Sequence, residues 1–207
     1  MKAKQLETLL GQVEDFESPK IVLEQYSTPA HVAAKMVHMA AMDGHIKAKR
    51  VIDLGCGPGM LTTAAALMNA DWVIGVDIDE EALDTAQENI ANMDDGCGRI
   101  DLINCDVLGK LPFASRTCDV VIMNPPFGTK GNKGIDISFL KSAISLASEA
   151  VYSLHKSATR KFLLKKGADF GAKTEVLGQF AYDLPATYAR HTHLNKTIEV
   201  DLIRFTL

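Results

Sequence analysis

Residues 50–59 read Arg50-Val51-Ile52-Asp53-Leu54-Gly55-Cys56-Gly57-Pro58-Gly59, a short apolar run that ends beside an acid and breaks into three glycines. The run predicts a strand over 50–54, and the glycines predict a tight turn into a helix from Met60 to Met68. Downstream the rhythm repeats: strand Trp72–Asp77, helix Glu80–Ala91, strand Ile100–Cys105 and strand Asp119–Met123. A helix over Phe139–Ala150, a strand over Val151–His155 and a basic helix over 157–170 follow. Strands near 174–182 and 197–206 close the chain. Upstream, apolar spacing predicts a helix over 4–14, broken at Ser18-Pro19, and a second helix over 29–42 with Thr28 as its cap.

Strand alternating with helix implies an α/β fold, a seven-stranded, mostly parallel sheet with helices on both faces. The last two strands are separated only by the loop 183–196, which has no helix to make a parallel crossover, so one strand near the sheet's end is expected to run antiparallel. No Gly-, Ser- or Pro-rich linker divides the chain, and residues 1–207 are expected to form one domain.

Composition narrows the function classes. The chain has 207 residues, 47% of them hydrophobic, with 22 Lys+Arg against 26 Asp+Glu and a formal net charge of −4. That excludes a largely disordered chain. It also gives no general affinity for nucleic acid, so any such contact needs basic residues gathered on one face. No apolar run approaches the ~18 residues of a membrane helix. The charged start MKAKQLETLLGQVEDFESPK does not read as a secretory signal, so an intracellular, reducing location is expected. Cys56, Cys97, Cys105 and Cys118 show no C-x-x-C spacing and are expected to be free thiols, with no metal site.

Three features sit where a nucleoside would be held. The turn Gly55-Cys56-Gly57-Pro58-Gly59 lets backbone approach a ligand, and the following helix start offers free N–H groups. Asp77 ends the second strand 22 residues after Gly55, a place from which a carboxylate accepts from ribose hydroxyls. Asp106, past the third strand, can accept from an adenine amino group. The G-x-G-x-x-G pattern of dinucleotide sites is not completed, since Met60 and Thr62 stand where its last glycine would be.

The fourth strand ends in Asn124-Pro125-Pro126-Phe127. Two prolines turn carbonyls away from the sheet, and the Asn124 side-chain oxygen beside the Pro125 carbonyl can accept both hydrogens of a planar amine. Phe127 can stack on the ring that carries it. The carboxyl edge of a parallel sheet is where ligands bind in such folds.

These motifs resemble the S-adenosylmethionine-dependent amino-methyltransferases. The strings EQYSTPAHVAA (24–34), VIMNPPFGTKGNKG (121–134), VYSLHKSATR (151–160), YDLPATY (182–188) and IEVDLIRF (198–205) resemble, more narrowly, the methyltransferase-like protein 5 family, which forms N6-methyladenosine in small-subunit ribosomal RNA. The resemblance implies a Rossmann-like class I methyltransferase fold with a helical leader over 1–45 closing the cofactor site and a core over 46–207. It implies catalysis by Asn124, Pro125, Pro126 and Phe127. It implies S-adenosylmethionine held by Gln25, Thr28, Asp53, Gly55, Gly57, Pro58, Gly59, Met60, Asp77, Ile78, Asp106 and Val107. Glutamine in a release factor and adenine in DNA remain alternative acceptors for the N-P-P-F turn.

Lys130, Lys133, His155, Lys156 and Arg160 flank the turn and are expected to meet RNA phosphates, whereas Lys161, Lys165 and Lys166 fit a solvated helix face equally well. His191 and His193 read as surface or RNA-contacting residues. Ile100–Asn104 should be an apolar edge strand, which needs a cover. The family resemblance implies a small zinc-binding methyltransferase activator protein there, in a heterodimer. The expected location is the cytoplasm and the nucleus or nucleolus.

Overall fold

A computed structural model describes residues 1–93, 98–128, 132–184 and 196–207. Among the described residues the strands are β1 (Arg50–Leu54), β2 (Trp72–Asp77), β3 (Arg99–Asn104), β4 (Cys118–Met123), β5 (Ala147–Lys156), β6 (Lys173–Leu184) and β7 (Lys196–Thr206). They form one seven-stranded sheet in the order β3-β2-β1-β4-β5-β7-β6. Strands β1 to β5 pair in parallel, and β7 runs antiparallel to both neighbours, β5 and β6. The antiparallel strand expected from the short 183–196 connection is therefore β7, and β3 is an edge.

The helices that pack on this sheet are α1 (Ala3–Leu10), α2 (Ala30–Met42), α3 (Met60–Leu67), α4 (Glu80–Ala91), α5 (Ile135–Leu146) and α6 (Arg160–Asp169). Alternation along the strands sends side chains to two faces. Val51, Val73, Val120 and Ile122 pack with Leu6, Leu10, Val37 and Leu61 of α1, α2 and α3. Ile52, Leu54, Val121 and Met123 pack with Leu140, Ala143 and Leu163 of α5 and α6. Burial of these apolar side chains is the main stabilising term. Among the described residues no helix is long and apolar enough to cross a membrane.

Several boundaries differ from the sequence reading. Helix α1 stops at Leu10 rather than 14, because Gly11 caps it and the chain turns away toward α4. Helix α5 begins at Ile135, after Gly134 at φ +87°, and ends at Leu146. The residues expected to finish that helix instead extend β5, where Ala147 pairs with Cys118 and Ala150 with Val120. Thr28 does not cap α2; its hydroxyl is engaged elsewhere, and Pro29 stands at the cap with no side-chain bond.

Candidate active site

The turn after β1 is stitched to β2 before any side chain acts. The Gly55 and Cys56 N–H groups both donate to the Val76 carbonyl, at 2.8 and 3.0 Å. Gly57 then adopts φ +51°, and its N–H donates to Asp77 Oδ2 at 2.8 Å. A Cβ at Gly57 would lie 2.7 Å from the Phe16 ring, so glycine is required by both conformation and space. Gly59, at φ +87°, opens α3.

Two buried carboxylates face this turn. Asp77 accepts from Gly57 and, through Oδ1, from the Asp79 N–H at 3.0 Å. Burial nevertheless holds its pKa above the ordinary carboxylate value, since desolvation outweighs those bonds. Asp53 is fully buried; its Oδ2 accepts from the Thr62 hydroxyl at 2.7 Å, and its Oδ1 has no partner among the described residues. Burial pushes its pKa up to about 7 against the Thr62 hydrogen bonds, and the charge of Asp77 adds to the rise.

Around the turn lies a cleft of about 290 Å³, near the lower end of the size range of small-molecule sites. Gly55, Gly57, Asp77, Ile78, Asp106 and Val107 line it from the sheet side, and Gln25 and Asn124 face them. Ile78 and Leu108 are 49% and 51% exposed beside it, offering apolar surface for a flat ring. A smaller recess shares Gly55, Gly57 and Asn124 with the cleft and adds Thr28, Asp53, Pro58 and Met60. The expected cofactor residues thus converge, except that Gly59 shapes the turn without lining either space. The donor set suits an adenosine bearing a cation: apolar flanks for the base, carboxylates for hydroxyls, and an unpartnered acidic oxygen at Asp53.

The amino-terminal segment closes the cleft. Gln25 Nε2 donates to Asp79 Oδ2, and Lys20 Nζ donates to Asp79 Oδ1, both at 2.6 Å. The Gln25 Oε1 accepts from the Lys20 N–H at 2.6 Å, and Asn132 Nδ2 donates to the Val22 carbonyl at 3.2 Å. Gln25 therefore serves this strap as well as lining the cleft. Asp79 also caps α4, its Oδ1 accepting from the Glu81 N–H at 3.3 Å.

At the end of β4, Asn124 Nδ2 donates to Thr28 Oγ1 at 3.0 Å and to Tyr182 Oη at 3.1 Å. Its Oδ1 is buried without a partner among the described residues. Pro125 is buried and Pro126 lines the cleft. Phe127 is half-buried; its ring stacks on Tyr26, with centroids 5.1 Å apart, and the Lys156 ammonium lies 5.6 Å from its centroid. Tyr26 therefore covers one face of the ring expected to meet a base.

The basic residues divide. Lys133 is exposed, and Lys130, His191 and His193 lie outside the described residues. Lys156 and Arg160 border an open groove of about 530 Å³. Arg160 is held by Asp201, at 2.6 and 2.7 Å. His155 corrects the sequence reading: it is 1% exposed, with Nε2 2.8 Å from Ser153 Oγ. Burial pushes its pKa down to about 3, so near neutral pH it carries no charge for a phosphate. Sequence reasoning gave no role to Phe16, Tyr26, Asp79 and Tyr182, although Tyr26 and Tyr182 stand inside the strings that carry the family resemblance. Phe16 and Tyr26 line the cleft, whereas Asp79 and Tyr182 act behind it, on Gln25 and on Asn124.

Comparison with known proteins places the chain in a methyltransferase family. A family profile, the methyltransferase small domain, matches residues 32–153. The chain is 48% identical to the rRNA N(6)-adenosine-methyltransferase METTL5 of Danio rerio, over 100% of this chain and 99% of that one. It is 43% identical to the rRNA N(6)-adenosine-methyltransferase Mettl5 of Drosophila melanogaster, over 100% and 97% of the two chains. A crystal structure from Pyrococcus horikoshii, provisionally assigned as an RNA methyltransferase, superposes with a TM-score of 0.85 at 34% identity, covering 99% of this chain and 95% of that one.

Proposed function

The chain belongs to the METTL5 family of rRNA N6-adenosine methyltransferases, and from that membership and the geometry of the cleft we propose that it methylates adenine N6 in small-subunit ribosomal RNA of the 18S type. The observation that carries the chemistry is the buried, unpartnered Asn124 Oδ1 at the carboxyl end of β4, beside the cleft.

The methyl donor is S-adenosylmethionine, which supplies an electrophilic methyl on a sulfonium. In this reading Asp77 holds the ribose hydroxyls, Ile78 and Val107 flank the adenine, and Asp106 accepts from its amino group; their support is that all four line one cleft. The unpartnered oxygen of Asp53 suits the donor's cationic end, and Thr28, Pro58 and Met60 line the recess beside it. On the acceptor side, Asn124 Oδ1 and the Pro125 carbonyl take the two N6 hydrogens. That draws the nitrogen out of the plane of its ring and concentrates its lone pair. S-adenosylmethionine held in the cleft would supply the methyl, with the carbon–sulfur pair returning to sulfur, while Asn124 and the Pro125 carbonyl keep the nitrogen's lone pair in line and the surplus proton leaves to solvent. Positioning supplies most of the acceleration in such a displacement.

Phosphates of the RNA meet Lys130, Lys133, Lys156 and Arg160. The edge strand β3 is covered by a small zinc-binding methyltransferase activator protein, in a heterodimer. Residues 1–45 act as a leader on the 46–207 core, and the enzyme works in cytoplasm and nucleus. Support for the cover is that all six residues of β3 are exposed or only half-buried.

The test supplies labelled S-adenosylmethionine with small-subunit RNA, DNA and release factor as separate acceptors, and identifies the product by mass spectrometry. N6-methyladenosine in the RNA alone is the expected result; label in DNA or in a glutamine amide overturns the acceptor.

A further inference from the structure

We infer that Tyr182, with Thr28, is a positioning residue that fixes which end of the Asn124 amide faces the acceptor. The proposal rests on the amino-methylation reading and adds a residue to it.

The argument is a count of protons. A carbonyl oxygen cannot donate, so the Tyr182 hydroxyl must donate to the Ser27 carbonyl, 2.7 Å away. A phenol has one proton, and that bond uses it. Toward Asn124, at 3.1 Å, Tyr182 can therefore only accept. The Asn124 atom facing it must be the donor nitrogen. The second hydrogen of that nitrogen goes to Thr28 Oγ1 at 3.0 Å. With both hydrogens spent, Oδ1 faces the other way, and it is the atom left buried and unpartnered. A flipped amide would set its oxygen against the Tyr182 oxygen and present two hydrogens to an incoming amine. The chemistry needs the opposite.

The supports of this amide come from three remote segments. Ser27 and Thr28 end the strap that leads into α2, Asn124 ends β4, and Tyr182 lies near the end of β6. Tyr182 is 0% exposed, with its ring at steep angles to those of Tyr26 and Phe127, 5.8 and 6.3 Å away between centroids. Its hydroxyl is therefore held in place by packing on the ring. The same hydroxyl ties the strap to the sheet, so the strap and the amide are anchored at one atom.

The decisive substitution is Tyr182→Phe, which keeps the packed ring and removes only the hydroxyl. Two measurements follow on the full chain. In steady-state kinetics, kcat should fall by on the order of 10- to 100-fold while the calorimetric Kd for S-adenosylmethionine stays within about twofold, as expected for a misaligned reacting group. By nuclear magnetic resonance, the two side-chain amide protons of Asn124, identified by their loss in Asn124→Asp, should move in Tyr182→Phe. An unchanged kcat, or a fall in kcat fully matched by weaker donor binding, overturns the proposal, as do unmoved amide signals. Should Tyr182→Phe fail to fold, Thr28→Val is read by the amide resonances alone, because it removes the other acceptor of the same nitrogen and should move the same two protons; unmoved signals there overturn the proposal. The resonance signals need no acceptor, so absence of RNA methylation by the unaltered enzyme would overturn the acceptor assignment and leave this test standing.

Discussion

Asn124 and His155 show how a side chain's neighbours decide its task. Asn124→Ala removes the buried acceptor at the end of β4 and leaves the glycine turn and Asp77 intact. Methyl transfer should fall by about 10²- to 10³-fold, the scale of losing a preorganised polar group, with calorimetric donor affinity nearly unchanged; undiminished transfer would remove its role. His155 predicts a pH effect. Its folded pKa of about 3 lies below the ordinary 6.5, so the unfolded chain takes up a proton that the folded one refuses. Stability is therefore lost as pH falls from about 6.5 toward 3. Asp53, with its folded pKa raised from 3.8 to about 7, acts with the opposite sign and loses stability as pH rises through that window. Comparing urea unfolding of the unaltered chain with His155→Gln isolates the histidine. The unaltered chain should lose up to about 1.4 kcal/mol more per pH unit between about pH 6 and 4. Parallel pH profiles would contradict the buried neutral imidazole.

At the scale of elements, the strap over the cleft and the cap of α4 share one carboxylate. Asp79 caps α4 and holds both Lys20 and Gln25. Asp79→Ala should therefore cost about 1 kcal/mol through the missing cap and also loosen residues 20–25. Hydrogen exchange checks it: the Lys20 amide, bonded to Gln25 Oε1, should lose protection, while amides in β1 and β4 stay slow. Equal loss throughout the chain would mean global destabilisation instead. The strands and helices themselves were legible in the sequence, because apolar period is a local property. The ends of α1 and α5 were not. Gly11 ended α1 early, and pairing of Ala147 and Ala150 with β4 outweighed the helical tendency of that segment.

For the whole molecule, the net charge of −4 means that RNA affinity depends on where the few basic residues lie. Lys133 follows the N-P-P-F turn by six residues, and the Lys156 ammonium lies over the Phe127 ring. Replacing both by Gln should weaken binding of a single-stranded adenosine-containing RNA. The slope of log affinity against log salt should fall by about 0.7 for each phosphate no longer neutralised. An unchanged slope would assign these side chains to a solvated face.

The sequence alone determined the alternation of strand and helix, the antiparallel last strand, the glycine turn, Asp77 and the N-P-P-F turn. Each is a short-range pattern whose physical cause lies within a few residues of itself. The tertiary structure alone decided that Thr28 serves Asn124 instead of α2, that Tyr182 orients an amide 58 residues away, and that His155 is enclosed. Those facts follow from which side chains meet when β6 and the amino-terminal strap converge on the end of β4. A proton shared across that junction leaves no periodic trace in the chain.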